Sequence, residues 1–177
     1  KIDLLNTSGR HSLARRTKDE MMAEFRRLGA LFDTWLDYQL AHGEAAMQKA
    51  YQKTRRSNDI LTLVKPGGPR LSDVLEGTKQ GLNDINDMIR DGLQEGWPSA
   101  TGFLAYYRER TGREWWADAG DPVRMARAIL KRGQIRDETE WYLLKNLLDP
   151  LDQTDLSADE LKRLRALHWE FEEQARQ

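Results

Sequence analysis

The sequence has 177 residues, of which 39% are apolar and 32% are charged, a composition typical of a folded domain with a highly charged surface. It contains no cysteine, which excludes disulfides, thiolate nucleophiles and zinc–thiolate sites. No run of about eighteen apolar residues is present, so no membrane span is expected. No signal-peptide core precedes the first predicted helix. We expect a cytoplasmic protein, although a sequence that begins with Lys1 can have an incomplete N-terminus.

The charged residues are unevenly distributed along the chain. Residues 1–70 carry 13 Lys and Arg against 8 Asp and Glu, whereas residues 71–177 carry 15 against 21. Two explanations are open at this stage. The asymmetry can hold the two halves together, or it can present a basic surface to an acidic partner.

The first predicted helix is long and unusually apolar. Thr17 and Glu20 have the spacing of a capping box, and apolar residues then recur three and four apart as far as Leu40, which is typical of an amphipathic helix. Leu31 and Tyr38 lie off this stripe. The helix is therefore expected either to be central in a bundle or to touch a partner.

A second helix is predicted over residues 44–57, where a weak apolar face indicates a peripheral position. The short apolar run 60–64 follows and ends at the Lys-Pro-Gly-Gly-Pro sequence of residues 65–69. A single strand would lack a backbone partner, so we expect this run to form an extended loop lying on the bundle. A sub-boundary within the domain is predicted near residues 65–71.

The third predicted helix begins at Ser72 and carries a narrow, heptad-like apolar seam. The seam consists of Leu75, Thr78, Leu82, Ile85, Ile89 and Leu93. Gly77 and Gly81 lie beside it, and each lowers intrinsic helix stability by about 1 kcal/mol relative to alanine. As compensation, we expect close packing of a neighbouring helix or a bend.

The Gly-Trp-Pro sequence of residues 96–98 interrupts the chain before a shorter, aromatic-rich helix. Trp115 and Trp116 follow in a predicted connector. Asp121 then offers an N-cap, and Pro122 suits the first position of a helix. A helix of about three turns is expected from this point.

Two capping-box patterns predict the last two helices. Asp137 with Glu140 opens a helix that should end before Pro150 and form a hairpin with the preceding one. Ser157 with Glu160 opens the final helix.

Together these elements predict an all-α fold, a single-domain bundle of about six or seven helices with a C-terminal helical hairpin plus a final helix. The helical domain is predicted to span residues 17–177. Residues 1–16 show no sustained periodicity and are interpreted as a flexible or docked N-terminal arm.

The sequence shows no catalytic signature. Its three histidines lack metal-binding spacing, and no nucleophile–base pair is evident. The least favoured alternative is a carboxylate-metal hydrolase that would use Asp33, Asp37, Asp84 and Asp87. Because Asp84 and Asp87 lie opposite the apolar seam of the third helix, they are expected to face water. No catalytic residue, metal ligand or cofactor is predicted.

Basic residues of the N-terminal half suggest an alternative function, nucleic-acid binding. The candidate residues are Arg15, Arg16, Lys49, Lys53, Arg55 and Arg56. The hairpin of residues 122–148 has the outline of a helix-turn-helix, but acidic residues open its second helix where a recognition helix would meet phosphates. A sequence pI near 6.4 also weighs against this alternative.

Aromatic residues that the helical stripes do not absorb are the leading candidates for a partner-binding surface, because Trp and Tyr are enriched at interface centres. The candidates are Tyr38, Trp115, Trp116, Tyr142 and Trp169. We expect a non-enzymatic protein–protein interaction module of bacterial type, such as an inhibitor, immunity protein or adaptor. It would bind a protein partner through aromatic and charged helical surface, and its oligomeric state is left open.

Overall fold

The structure is a computed structural model that describes residues 16–148 and 155–175, and within these ranges every regular element is an α-helix. The helices are α1 (Lys18–His42), α2 (Ala45–Tyr51), α3 (Ser57–Leu61), α4 (Leu71–Gln94), α5 (Pro98–Thr111), α6 (Trp115–Ala119), α7 (Pro122–Arg132), α8 (Glu138–Leu148) and α9 (Ala158–Ala175). The all-α prediction is confirmed. None of the described helices is long and apolar enough to cross a membrane.

Helix α1 is central because it is apolar on more than one face. It packs against α2, α3, α4, α5 and α6. Leu31 and Tyr38, which lie off the main apolar stripe, are buried together with the stripe residues Phe25, Leu28 and Trp35. Central packing therefore accounts for the excess of apolar residues on this helix.

The first hydrophobic core joins α1 with α4, α5 and α6. Trp115 lies within it, and its ring meets Phe103 and Tyr107 edge to face, at centroid distances of 4.9 and 5.1 Å. The Nε1–H of Trp115 donates a hydrogen bond of 2.8 Å to Oδ1 of buried Asn86. The prediction of a connector at this point is wrong, because Trp115 begins the short helix α6.

A second hydrophobic core joins α7, α8 and α9. The chain passes from one core to the other at Gly120, whose positive φ of 93° forms the turn between α6 and α7. Leu61 and Leu75, on either side of residues 65–71, both belong to the first core. The two cores therefore separate near Gly120.

The segment near residues 60–64 differs from its prediction. Helix α3 includes only Ile60 and Leu61 of this run, and residues 62–64 are not helical. The helix begins at Ser57, whose N–H and hydroxyl donate to the two carboxylate oxygens of Asp33 at 3.0 and 2.5 Å. A Cβ atom placed on Gly29 would lie 2.6 Å from the Cβ of Ser57. The missing side chain at Gly29 thus lets α3 approach α1, and the predicted second helix is shortened to α2.

The expectation of close packing at Gly77 and Gly81 is wrong. A Cβ atom on either residue would have no described neighbour within 4 Å outside the backbone of its own helix. Close approach on α4 occurs instead at Gly92, where a Cβ atom would lie 2.8 Å from the Cβ of Ala100 in α5.

Replacement of Asn86 by leucine should destabilise the fold. Besides accepting from Trp115, Asn86 donates from Nδ2 to the carbonyl of Gly120 at 3.3 Å. Asn86→Leu leaves the Trp115 Nε1–H and the Gly120 carbonyl without their hydrogen-bond partner. We therefore expect the free energy of unfolding to fall by about 2–4 kcal/mol. Urea denaturation measures the loss. The control Asn146→Leu removes a surface hydrogen bond to Asp84 and should cost less than about 1 kcal/mol; equal losses would contradict the importance of the buried amide.

The carboxylate of Glu160 should make stability depend on acid pH. Hydrogen bonds from the Arg127 guanidinium and the Ser157 N–H lower its pKa from the ordinary 4.5 to about 2. The unfolded chain then binds the extra proton as the pH falls through this window, so stability is lost there. Glu160→Gln removes this contribution, and its stability should decline less steeply between pH 5 and pH 2. Chemical denaturation at each pH measures the free energy of unfolding. If this free energy falls equally with pH in the variant and the parent, Glu160 is not the source of the pH dependence.

Candidate functional site

A cavity of about 560 Å³ opens between the C-terminal end of α1, helix α2, the second half of α4 and the start of α5. Its floor is formed by buried side chains, and its rim is formed by exposed apolar ones. The floor residues are Trp35, Ile89 and Phe103. The rim residues Met47, Met88 and Trp97 are 37%, 39% and 48% exposed. We call this cavity and its rim the apolar groove.

The local sequence places Trp97 at the mouth of the groove. The N–H of Trp97 donates to the carbonyl of Gly92 at 2.7 Å, and a Cβ atom on Gly92 would lie 3.2 Å from Cε3 of the indole. The missing side chain at Gly92 therefore lets the indole lie against α4. Pro98 then starts α5 directly, since it suits the first helical position.

Met88 reaches the groove because it lies off the buried seam of α4. The seam residues Ile85 and Ile89 face the first core. Met88 precedes Ile89 by one residue, which rotates its side chain by about 100° toward the edge of the helix. Gln39 and His42 of α1, together with Ser99, supply polar groups to the lining. Apolar walls with a few polar groups are the usual composition of a binding site.

Two of the sequence-predicted partner-binding residues lie in the core. Tyr38 is 7% exposed and Trp115 is 1% exposed, so neither offers surface to a partner. Tyr38 is buried because α1 is central in the fold. Trp115 is buried because its ring packs edge to face against Phe103 and Tyr107. Trp116 is half-buried against the first core and borders a second cavity of about 300 Å³ between α4, α6 and α7.

The other two predicted residues are exposed on α8 and α9. Tyr142 is 37% exposed and Trp169 is 60% exposed. The Tyr142 ring meets Trp141 edge to face at 4.7 Å, and Trp141 stacks on His168 at 5.0 Å. Trp141 and His168 thus form an aromatic stack that joins α8 to α9, and Tyr142 and Trp169 follow them in sequence. We call these four residues the α8–α9 aromatic surface.

The basic residues proposed for nucleic-acid binding do not all remain available. Arg15 lies outside the described residues, and Arg16 forms an ion pair with Glu24. Arg56 pairs through Nη1 with Oδ1 of Asp37 at 2.6 Å. The remaining candidates are exposed and are Lys49, Lys53 and Arg55. Three exposed cations are a smaller basic set than the six residues that the sequence predicted.

The aspartates proposed as metal ligands are engaged with different parts of the fold. Asp33 holds Ser57 at the start of α3, and Asp37 pairs with arginine. Asp84 accepts a hydrogen bond of 3.1 Å from Asn146 of α8, and Asp87 lies 3.4 Å from Nη1 of Arg90. Among the described residues, no group of three or more His, Asp or Glu side chains could hold a metal ion.

Comparisons with family models, with curated proteins and with solved structures gave no match for this chain. A functional interpretation therefore depends on the residues and their geometry.

Sequence reasoning missed the three rim residues of the groove. Met47 belongs to the weak apolar face that predicts a peripheral helix, and Trp97 belongs to the Gly-Trp-Pro sequence that predicts a break. The available signal was Met88, an apolar residue on the otherwise acidic face of α4. The groove itself requires the convergence of four helices, which sequence periodicity does not describe.

Arg56 should contribute to the stability of the fold, whereas its neighbour Arg55 should not. Arg56 also donates to the Asp33 carbonyl at 3.3 Å, so it fixes α3 on α1. We expect Arg56→Ala to lower the free energy of unfolding by about 1 kcal/mol, a value limited by its partial exposure. Arg55→Ala serves as the matched control and should stay within about 0.5 kcal/mol of the parent. Thermal denaturation of both variants gives the test, and equal effects would refute it.

Proposed function

We propose that the protein is a non-enzymatic protein–protein interaction module that binds an apolar segment of its partner in the apolar groove. The observation that carries the proposal is the exposure of Met47, Met88 and Trp97 around a buried apolar floor. Exposed apolar residues that are grouped at a cavity are typical of binding sites, whereas single ones are ordinary surface.

The kinds of side chain at the rim support a protein partner. Methionine is flexible and polarisable, so it adapts to the shape of a bound side chain. Tryptophan contributes a large contact area and is enriched among the residues that dominate interface energetics. Transfer of each rim side chain from water into an interface contributes about 1–2 kcal/mol.

The extent of the apolar rim favours a polypeptide over a small ligand. A small molecule within the cavity would cover the inner faces of Met47, Met88 and Trp97 and leave their outer faces in water. A bound segment of a partner covers both faces. A polypeptide partner is in line with an inhibitor, immunity or adaptor role.

The double variant Met47→Ser and Met88→Ser should abolish partner binding without unfolding the protein. Both side chains are more than one third exposed, so we expect their loss to change the free energy of unfolding by less than about 1 kcal/mol. Capture of a stoichiometric complex from native lysate of the source organism, followed by titration with the identified partner, should show affinity weakened at least about tenfold.

The matched control is Leu93→Ser. Leu93 also lies on α4 and is 37% exposed, but it borders the second cavity and not the apolar groove. The control should bind like the parent. If Trp169→Ser loses binding and the double methionine variant does not, the groove is not the binding site. The α8–α9 aromatic surface would then be the binding site. A complex that disappears on nuclease treatment would instead favour the basic residues of the N-terminal half.

A further inference from the structure

An acidic stripe borders the apolar groove on α4. Asp84, Met88, Asp91 and Glu95 are spaced four, three and four residues apart, so they lie in one row along the helix. Asp84, Met88 and Glu95 are exposed, and Asp91 is half-buried. The groove residue Met88 therefore lies within a row of carboxylates.

The negative charge of this border is not balanced within the described part of the chain. Asp91 and Glu95 form no ion pair with a described Lys or Arg, and neither does Glu44, which lines the groove on its other side. Asp84 receives only the neutral amide of Asn146. By contrast, Asp87 on the adjoining face of α4 has its partner in Arg90.

The ends of the helices around the groove also carry partial charges. Helices α1 and α4 both end there, and each C-terminus brings a partial negative charge. The starts of α2 and α5 bring partial positive charges that offset those of the two C-termini, and Lys49 of α2 is a cation on a neighbouring turn. Lys49 follows Met47 by two residues, so it points to a different side of α2. The unit charges of the three carboxylates of the stripe and Glu44 therefore dominate.

The geometry suits a helical ligand. Asp84 to Glu95 covers about three helical turns, or about 16 Å. A helix that lies in a groove places apolar anchors at positions i, i+3 or i+4, and i+7, and its flanking residues then lie beside the groove. Since all regular elements of the described chain are helices, these residues offer no sheet edge for an added strand.

We propose, building on the interaction function above, that the partner of the apolar groove is a basic amphipathic helix of another protein. Its apolar face contacts Met47, Met88 and Trp97, and its Lys or Arg side chains pair with Asp84, Asp91 and Glu95. Complementary charge of this kind speeds association and selects the partner.

A pair of synthetic peptides tests the proposal. Both form an amphipathic helix of about four turns with the same leucine and methionine anchors, but one carries Lys and Arg on its polar face and the other carries Glu. Fluorescence anisotropy of labelled peptide measures binding to the full chain. The basic peptide should bind at least about tenfold more tightly than the acidic one, and this difference should shrink as salt is added.

Charge-reversal variants locate the interaction. Asp91→Lys with Glu95→Lys should weaken binding of the basic peptide at least about tenfold. The control pair, Glu109→Lys with Glu138→Lys, makes the same change in net charge on exposed residues of α5 and α8 and should leave the affinity unchanged. The double variant Met47→Ser and Met88→Ser should also bind the basic peptide more weakly than the parent does.

The contrary outcomes are distinct. If the basic peptide fails to bind, binds no better than the acidic one, or is insensitive to Asp91→Lys with Glu95→Lys, the assignment of a basic helix is overturned. Light scattering that shows a dimer lost in the methionine variant would overturn it as well, since a second copy would then occupy the groove. In each case the lysate experiment decides separately whether the groove binds a protein partner, so failure of the ligand class is distinguishable from failure of the proposed function.

Discussion

The fold depends on the buried amide of Asn86, because its hydrogen bonds join α4 directly to α6 and to the turn before α7. It accepts the Trp115 N–H, donates to the Gly120 carbonyl and belongs to α4. The indole anchors α6 in the first core, and the carbonyl belongs to the turn after which the second core begins. A buried polar group is tolerated only when its hydrogen bonds are satisfied. This requirement fixes the position of α6 and the turn before α7 more specifically than apolar packing could.

Three faces of helix α4 have different surroundings. Its apolar seam completes the first core, and its polar contacts reach α8, where Asn83 donates to the Thr139 carbonyl at 3.4 Å. The third face holds Met88 and the acidic stripe. The first two faces are covered by other helices, so their residues are explained by the fold. Most of the third face is exposed, and Met88, Asp91 and Glu95 on it have no hydrogen bond or ion pair with another helix among the described residues that would explain them.

The sequence predicts features whose cause is local. Thr17 and Glu20 form the expected capping box, and Asp121 accepts the N–H groups of Val123 and Arg124. The second half of one predicted box fails, because Glu140 binds the Arg136 N–H and not that of Asp137. Nonlocal features were less predictable. The helical start at Ser57 depends on Asp33, and the close approach at Gly92 depends on α5; periodicity within one segment contains neither relation.

The candidate site was predicted poorly for a related physical reason. An aromatic residue off its helical stripe can face a partner or a second neighbour, and both situations give the same local pattern. Tyr38 proved to have a second neighbour in α5, because its hydroxyl occupies the space that a side chain on Gly102 would need. Met88 is more informative than Tyr38, because it is exposed and lies at one cavity together with two further exposed apolar residues, Met47 and Trp97. Exposed apolar residues that are grouped at a cavity are therefore a stronger indication of an interface than an additional aromatic residue on an apolar helix.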